Sequence, residues 1–561
     1  MTPADETARL KTRAVGRLRD ALVWLLPGGA ALALYFRCVG FWWSGDELLY
    51  VKSITLHSPA EYLFVPAIYR ELSPVLFFPG ALLSFDLDHR LFGLAVSLYY
   101  GHQLLAFALA ASLFSLLARR FLPATAAVVT GLLFVLGLPV PAVVAELMSR
   151  HYIEGLAAAL TATLLFVRFI EGRRTPWLFA AVGLWFLAGA CKEIFVPLPL
   201  VLVFLPVGSL RERLRASWPF WIGLALYAGW RQTMLAGAFG GYEASSESIR
   251  IGALGERLFL VARQFAAVTL LPHETAGRIL ASGLIALAFL TVVRRRSIPF
   301  MVALAAAVAG PLLPVAEPLE PRFEMLPWLL VALLTGSAFA RCLAAGRAWR
   351  IAGSVALLGA FALTVPGNRA SWSSLEKVNL RSRAEGEFFL TRSVPGDVLR
   401  QPLRGAQYFA NLRWLRRDVL GGAEGGEVAY DDMFFCDTVR ARARVLAFSG
   451  VHGDMETAAP DGSSLCAGLR SRLREAPLTV RLKYDDPFIA WKLGPYAAGS
   501  YWLIHGDEYA QFPTPPSRSV RYHIEDLTLR VKYESPEGWL VYSPPLRLAG
   551  KSGHASVEWS R

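Results

Sequence analysis

Apolar runs about twenty residues long, separated by small clusters of arginine, recur through the first two thirds of this chain and constrain it more than any other feature. A helix needs about 20 apolar residues to cross the hydrocarbon of a bilayer, where only helices and closed barrels satisfy every backbone polar group. Charged residues make up only 18% of the chain, against about 25% in an ordinary soluble domain. The expected fold is therefore an α-helical polytopic membrane protein. A net charge of +13 would suit nucleic acid. The arginines, however, sit between the apolar runs in the positive-inside pattern, which argues against a nucleic-acid partner.

Lys11, Arg13, Arg17 and Arg19 precede the first run, about 21–43, and place the N-terminus in the cytoplasm. Residues 44–90 then form a long outer loop whose short apolar pieces read as helices lying on the membrane surface. Further spans are expected at about 91–118, 121–142, a stretch ending at Arg173 and Arg174, a helical pair at 176–208, and 218–237. The segment 253–272 carries Glu256, Arg257, Arg263 and Gln264, which are costly in hydrocarbon, so it reads as a second surface helix. Spans at about 277–293, 298–315, 324–340 and 350–366 bring the count to about eleven and leave the tail outside.

From about Pro366 the composition turns polar, with breaks such as Gly421-Gly422-Ala423-Glu424-Gly425-Gly426. Residues 1–366 thus read as a transmembrane domain and 367–561 as an extracytoplasmic one. Alternation in Leu478–Tyr484, Val520–Glu525 and Leu527–Tyr533 predicts half-buried strands. A mixed α/β part to about 475 followed by a small β-sandwich is expected. Cys436 and Cys466 would share an oxidising compartment there and could pair. Trp491, Tyr496, Tyr501, Trp502 and Tyr509 could stack on sugar rings, though aromatics at sandwich spacing are more often core.

The first apolar run ends in Phe41-Trp42-Trp43-Ser44-Gly45-Asp46-Glu47. Trp42 and Trp43 suit a membrane interface, which puts Asp46 and Glu47 just beyond the hydrocarbon. A carboxylate there can serve as a general base for a hydroxyl held against the membrane; it can equally be a solvated loop acid or a helix cap. On the expected topology Arg150, His151 and Glu154, Lys192 with Glu193, and Glu320 with Arg322 all reach the same face. Ionisable groups at that depth usually pair or serve a site. Carboxylates, a lysine and arginines around an aqueous cavity suit a ligand with an anionic phosphate, a sugar and a lipid tail.

Three features taken in order resemble the GT-C membrane glycosyltransferases, among them the protein O-mannosyltransferases and lipid A aminoarabinose transferases. They are Gly45-Asp46-Glu47 before a long outer loop, Cys191-Lys192-Glu193-Ile194-Phe195-Val196-Pro197, and Arg322-Phe323-Glu324-Met325-Leu326-Pro327. The resemblance covers about residues 18–366. It implies transfer of a sugar, with inversion, from a polyprenyl-phosphate donor to a glycan, lipid or protein acceptor on the outer face. It implies Asp46 as the catalytic acidic residue with Glu47 its neighbour, and Lys192 and Arg322 facing the carrier phosphate. Glu154 matches a second acidic position, with Glu146 the competing choice, and Arg150, His151 and Glu193 stand near. The resemblance fixes no cofactor; a divalent metal, Mg or Mn, could sit between acidic groups and phosphate, but no ligand spacing shows one. The basic clusters suggest a bacterial inner membrane with the tail in the periplasm, with a eukaryotic reticulum membrane as the alternative. Two readings from other classes are a lipid-linked saccharide transporter or flippase, and a non-catalytic membrane scaffold. A flippase would need polar residues along a path through the bilayer, and the span middles are nearly free of charge.

Overall fold

The computed structural model describes residues 3–236, 298–310 and 321–559, apart from 75, 439–443, 460–461, 486–487, 506–509, 522–526 and 550–551. The expected surface helix at 253–272, the span at 277–293 and Tyr509 lie outside the described residues. The chain forms two compact units, Met1–Asn379 and Leu380–Arg561.

The first unit is helical. Its helices are α1 (Pro3–Tyr35), α2 (Glu47–Leu56), α3 (Pro59–Phe64), α4 (Pro66–Leu72), α5 (Pro79–Phe92), α6 (Val96–Arg119), α7 (Ala124–Val135) and α8 (Val140–Ala145). They continue with α9 (Arg150–Gly172), α10 (Thr175–Cys191), α11 (Leu198–Phe204), α12 (Leu210–Leu235), α13 (Ile298–Ala309), α14 (Met325–Ala344) and α15 (Arg347–Thr391), which runs on into the second unit. Five stretches among the described residues are long and apolar enough to cross a membrane: Leu18–Gly40, Val96–Arg119, Leu147–Gly172, Arg322–Ala344 and Arg347–Thr391. Ala124–Val135, Thr175–Cys191 and Glu193–Phe204 are apolar but shorter. The chain is thus a helical membrane protein with five candidate spans.

Between apolar helices, lipid gives no hydrophobic drive to associate, so close packing and interhelical hydrogen bonds do the work. Here Ser112 Oγ donates to Trp24 O (2.7 Å) and Ser115 Oγ to Ala127 O (2.9 Å), which ties α6 to α1 and α7. Trp328 Nε1 donates to Leu133 O at 2.9 Å and anchors α14 on α7. Gly137 allows this, since a Cβ there would collide with the Trp328 indole. Asn368 Nδ2 donates to Tyr35 OH (2.7 Å) and to Gly137 O (2.9 Å), fixing α15 against α1 and the end of α7.

The outer loop expected at 44–90 folds as the four short helices α2–α5. Ser58 and Glu61 close a capping box on α3. Arg70 of α4 donates to Met234 O (2.7 Å) and Thr233 O (3.2 Å), satisfying carbonyls left open at the end of α12. Trp43 does not sit in an interfacial belt: it is 1% exposed and packs edge-on to Tyr99. Its sequence neighbourhood suggested an interface, but the chain turns back at Ser44 and buries the ring.

The second unit begins with β1 (Asp397–Arg400), α16 (Ala406–Trp414), β2 (Glu427–Ala429), α17 (Asp432–Thr438), β3 (Arg444–Ser449), β4 (Asp454–Ala459) and α18 (Ser463–Arg472). These strands form one sheet in the order β2-β1-β3-β4, parallel except for β4. Two antiparallel sheets follow. One is built from β11 (Leu540–Tyr542), β10 (Leu527–Glu534), β7 (Ser500–His505) and β8 (Ala510–Thr514), with β12 (Leu546–Leu548) on β10. The other runs β13 (Ser552–Trp559), β5 (Leu478–Asp485), β6 (Phe488–Gly494) and β9 (Ser517–Arg521). Alternate residues of the two, including Val480, Leu482, Trp491, Leu503, Val531 and Tyr533, interdigitate as one core. The opposite side of the β7–β10 sheet is covered too, where Ile504, Leu540 and Tyr542 meet Leu469 and Met433. Trp491 and Tyr501 are therefore core residues, 3% exposed each. Cys436 and Cys466 form a disulfide between α17 and α18.

Candidate functional site

The turn Ser44–Glu47 separates the two acids. Asp46 begins α2 with its side chain exposed, and that side chain does not cap the helix. Glu47 is fully buried, and its carboxylate accepts from four donors: Ser44 N, Ser44 Oγ, Gly45 N and Met148 N. Glu47 thus closes its own turn and clamps it to the segment before α9. That segment is held from α6. Gln103 Nε2 donates to Val143 O, Val144 O and Glu146 O at 3.0 Å each. Tyr100 OH lies 3.1 Å from Trp42 O and 3.0 Å from Ala145 O.

Arg322 comes to the same place from the far end of the unit's sequence. Its Nη1 donates toward Met148 Sδ at 3.1 Å and lies 3.6 Å from Glu146 Oε2. Phe323 leads on to Tyr152, with ring centroids 6.2 Å apart. Tyr152 is the hub of the cluster: the His151 ring lies tilted beside it with centroids 4.5 Å apart, and Lys192 Nζ lies 5.1 Å above its ring. Lys192 is only 8% exposed, with Phe78 as its second aromatic neighbour. The charges of Lys192 and Arg322 both bear on His151. Tyr50, one turn after Asp46, packs on Phe78 with centroids 5.4 Å apart. Asp46, Glu47, Lys192, Arg322 and His151 thus belong to one neighbourhood, with Glu146 at its edge.

Arg150 and Glu154 turn the other way. Arg150 is fully buried, with Nη1 2.6 Å from Asp88 Oδ2, Nη2 donating to Tyr99 O at 2.9 Å, and its guanidinium 4.5 Å over Phe85. Glu154 Oε1 accepts from Ser84 Oγ at 2.6 Å and lies 3.7 Å from His102 Nε2. His102 Nδ1 is 2.8 Å from Asp88 Oδ1. This network joins α5, α6 and α9. Glu193 is likewise engaged, by Arg231 of α12.

Sequence reasoning missed Tyr152, Asp88, His102 and Arg231 as partners. Helical spacing carried part of the signal: Ser84 and Asp88, like Arg150 and Glu154, lie four apart and share a helix face. Among the described residues no group of three or more His, Cys, Asp or Glu could hold a metal ion. The Glu47 oxygens are already committed to hydrogen-bond donors. The residues present therefore do not fit a metal bridging the two acids.

Beside the cluster lies a cavity of about 520 Å³, lined almost wholly by apolar side chains of α6, α9, α11, α13 and α14. Ile194 and Phe195, directly after Lys192-Glu193, line it, as do Leu156 and Leu326. Along α14 the lining extends from Leu326 to Ala344; eighteen residues at 1.5 Å each make about 27 Å.

Fold and site together define a polytopic helical membrane protein with a β-rich unit after it and a charged and aromatic cluster beside an apolar cavity. Among solved structures, the chain is similar to the crystal structure of ArnT from Cupriavidus metallidurans in the apo state. The identity is 14% and the TM-score 0.40, over 78% of this chain and 94% of that one. That likeness assigns no residue and no activity. The sequence matches no family model and no curated protein.

Proposed function

We propose that this protein is a membrane glycosyltransferase that moves a sugar from a polyprenyl-phosphate carrier to an acceptor hydroxyl at the outer face of the membrane. The observation that carries this reading is the junction of the Lys192, Arg322 and Asp46 neighbourhood with the apolar cavity. An anion at Lys192 and Arg322 would have a lipid tail leading away along a lining about 27 Å long, close to the hydrocarbon thickness of about 30 Å. Asp46, exposed at the head of α2, is the acid that a water-borne hydroxyl can reach.

In the proposed reaction Asp46 takes the proton of the acceptor hydroxyl, and its oxygen attacks the anomeric carbon from the side opposite the phosphate. The carbon–oxygen bond to the carrier breaks, and the electron pair leaves with the phosphate, whose charge Lys192 and Arg322 offset. Positioning and charge stabilisation carry most of the barrier reduction. Glu47 acts through the turn it clamps and is a positioning residue. The acceptor is a glycan, lipid or protein hydroxyl.

The test compares extracted glycolipids and surface glycans by mass spectrometry from cells lacking the gene and cells complemented with wild type or Asp46→Asn at matched membrane levels. Loss of a general base costs about 10²–10⁴ in rate, so a glycan lost in the deletion should return with wild type and not with the variant. Full restoration by Asp46→Asn removes Asp46 as the base and brings a transporter or scaffold forward.

A further inference from the structure

The turn between α9 and α10 and the start of α12 lie together, because Glu212 of α12 meets Arg173 in an ion pair. Glu212 also closes a capping box with Ser209, accepting from Ser209 N at 2.8 Å. Two further acids beside this turn are engaged in the same way: Glu171 lies 3.4 Å from Arg120, and Asp20 lies 3.4 Å from Arg119 of α6. Arg213 is taken up by Val203 O and Val207 O at 2.7 Å each. Three exposed arginines are left over. Among the described residues no carboxylate pairs with Arg174, Arg211 or Arg215.

Beyond Arg211 and Arg215 the exposed face of α12 changes character along its length. Leu210, Leu214, Trp218 and Ile222 are exposed four residues apart, with Trp221 and Leu226 beside them. Ala216, Phe220, Gly223 and Tyr227 on the opposite side are buried. The exposed face thus carries its cations first, then two indoles, then aliphatic residues. Arg215 and Arg211 lie about 4.5 and 10 Å from Trp218 along the helix axis. The polar region on each side of the hydrocarbon is about 5–8 Å deep. With Trp218 at the boundary where indoles gather, both guanidinium groups fall at the level of lipid phosphates.

We propose that Arg174, Arg211 and Arg215 bind the phosphate of an anionic phospholipid whose chains lie along the exposed face of α12. Guanidinium groups hold phosphate through paired N–H donors. The occupant is a lipid, since the cations run straight on into exposed indole and aliphatic side chains that only a chain-bearing ligand covers. Three cations without an acid of their own select an anionic lipid over a zwitterionic one. The inference goes beyond the transferase reading and does not depend on it.

The experiment titrates the full chain, purified in a neutral detergent, with phosphatidylglycerol, with phosphatidylcholine of the same chains, and with glycerol 3-phosphate. Bound lipid is counted by native mass spectrometry, and the thermal midpoint is followed. Phosphatidylglycerol should bind and raise the midpoint, the other two should do neither, and the rise should shrink as salt is added. An arginine near an anionic surface is worth about fivefold in affinity. The triple variant Arg174→Ser, Arg211→Ser, Arg215→Ser should therefore weaken phosphatidylglycerol binding at least tenfold. Its midpoint without added lipid should equal that of wild type, because none of the three has an acidic partner to lose. The triple variant with lysine at the same positions keeps the charge and should keep most of the binding. Equal binding by wild type and the serine variant overturns the proposal, as does phosphatidylcholine or glycerol 3-phosphate matching phosphatidylglycerol. Lys192→Ala separates this border from the site of the proposed transfer and should leave phosphatidylglycerol binding unchanged. Loss of the lipid in Lys192→Ala and not in the serine variant puts it at that other site and overturns the proposal. Loss of glycan in Asp46→Asn with lipid binding intact bears on the transferase reading alone.

Discussion

Two adjacent carboxylates, Asp46 and Glu47, sit in opposite environments, one exposed and one fully buried under four donors. An amide in place of the buried acid would turn an N–H toward donors that need an acceptor. Glu47→Gln is therefore expected to cost about 1–3 kcal/mol of stability and to lower the thermal midpoint in detergent, whereas Asp46→Asn should leave the midpoint in place. Arg150 and Lys192 are both buried and differ in their surroundings, Arg150 meeting the Asp88 carboxylate and Lys192 the Phe78 and Tyr152 rings. Removing one partner of a buried ion pair costs about 3–5 kcal/mol, so Arg150→Ala should sharply reduce the amount of folded protein in the membrane. Lys192, held by ring faces, should give a variant, Lys192→Ala, that folds and fails to restore the glycan. The sequence allowed these residues to be gathered on one side of the membrane. It did not say which pair with one another, because Arg150 meets Asp88 and Glu193 meets Arg231 through helix packing that no local spacing encodes.

Helices were legible where apolar length was decisive, as in α6 and α9, and less so where the chain stays helical across a change of composition. Pro366 is such a case. It marks where the sequence turns polar, yet it lies inside α15, which continues to Thr391. A proline inside a helix costs about 3 kcal/mol; two residues later Asn368 fastens the helix to Tyr35 and Gly137. The contact of α14 with α7 is the element-scale weak point. A Cβ on Gly137 would meet the Trp328 indole, and one on Gly336 would meet Thr130 Oγ1. Overpacking of this kind costs about 1–3 kcal/mol. Gly137→Ala is expected to lower the thermal midpoint and to weaken activity, since Arg322 precedes α14 directly. Gly359→Ala, which meets open space inside α15, is the control and should lower neither, since alanine is the better helix former there.

At the scale of the whole molecule, the chain divides into a unit built by lipid-compatible packing and a unit built on a water-excluding sandwich core. Alternating residues made the sandwich strands readable, whereas the parallel β2-β1-β3 arrangement was not, since three- to six-residue strands carry too little periodicity. The Cys436–Cys466 link gives the second unit a property that the first lacks. It closes a separation of 30 residues between α17 and α18. On the loop-closure account such a bridge is worth about 3–4 kcal/mol. Cys436 packs both with Phe435 and Val445 of the parallel-sheet core and with Ile504 and Tyr542 of the covered β7–β10 sheet, so the loss should be felt in both layers. The double variant Cys436→Ser, Cys466→Ser should expose residues 380–561 to protease at a lower temperature than wild type while the fragment 1–379 remains resistant. Disulfides persist in oxidising compartments. In bacterial cells with the tail in the periplasm, thiol labelling should therefore find this pair oxidised in wild-type cells and reduced in cells without periplasmic thiol oxidase. Free thiols in both strains would place the second unit on the reducing side and reverse the orientation on which the outer-face reaction depends.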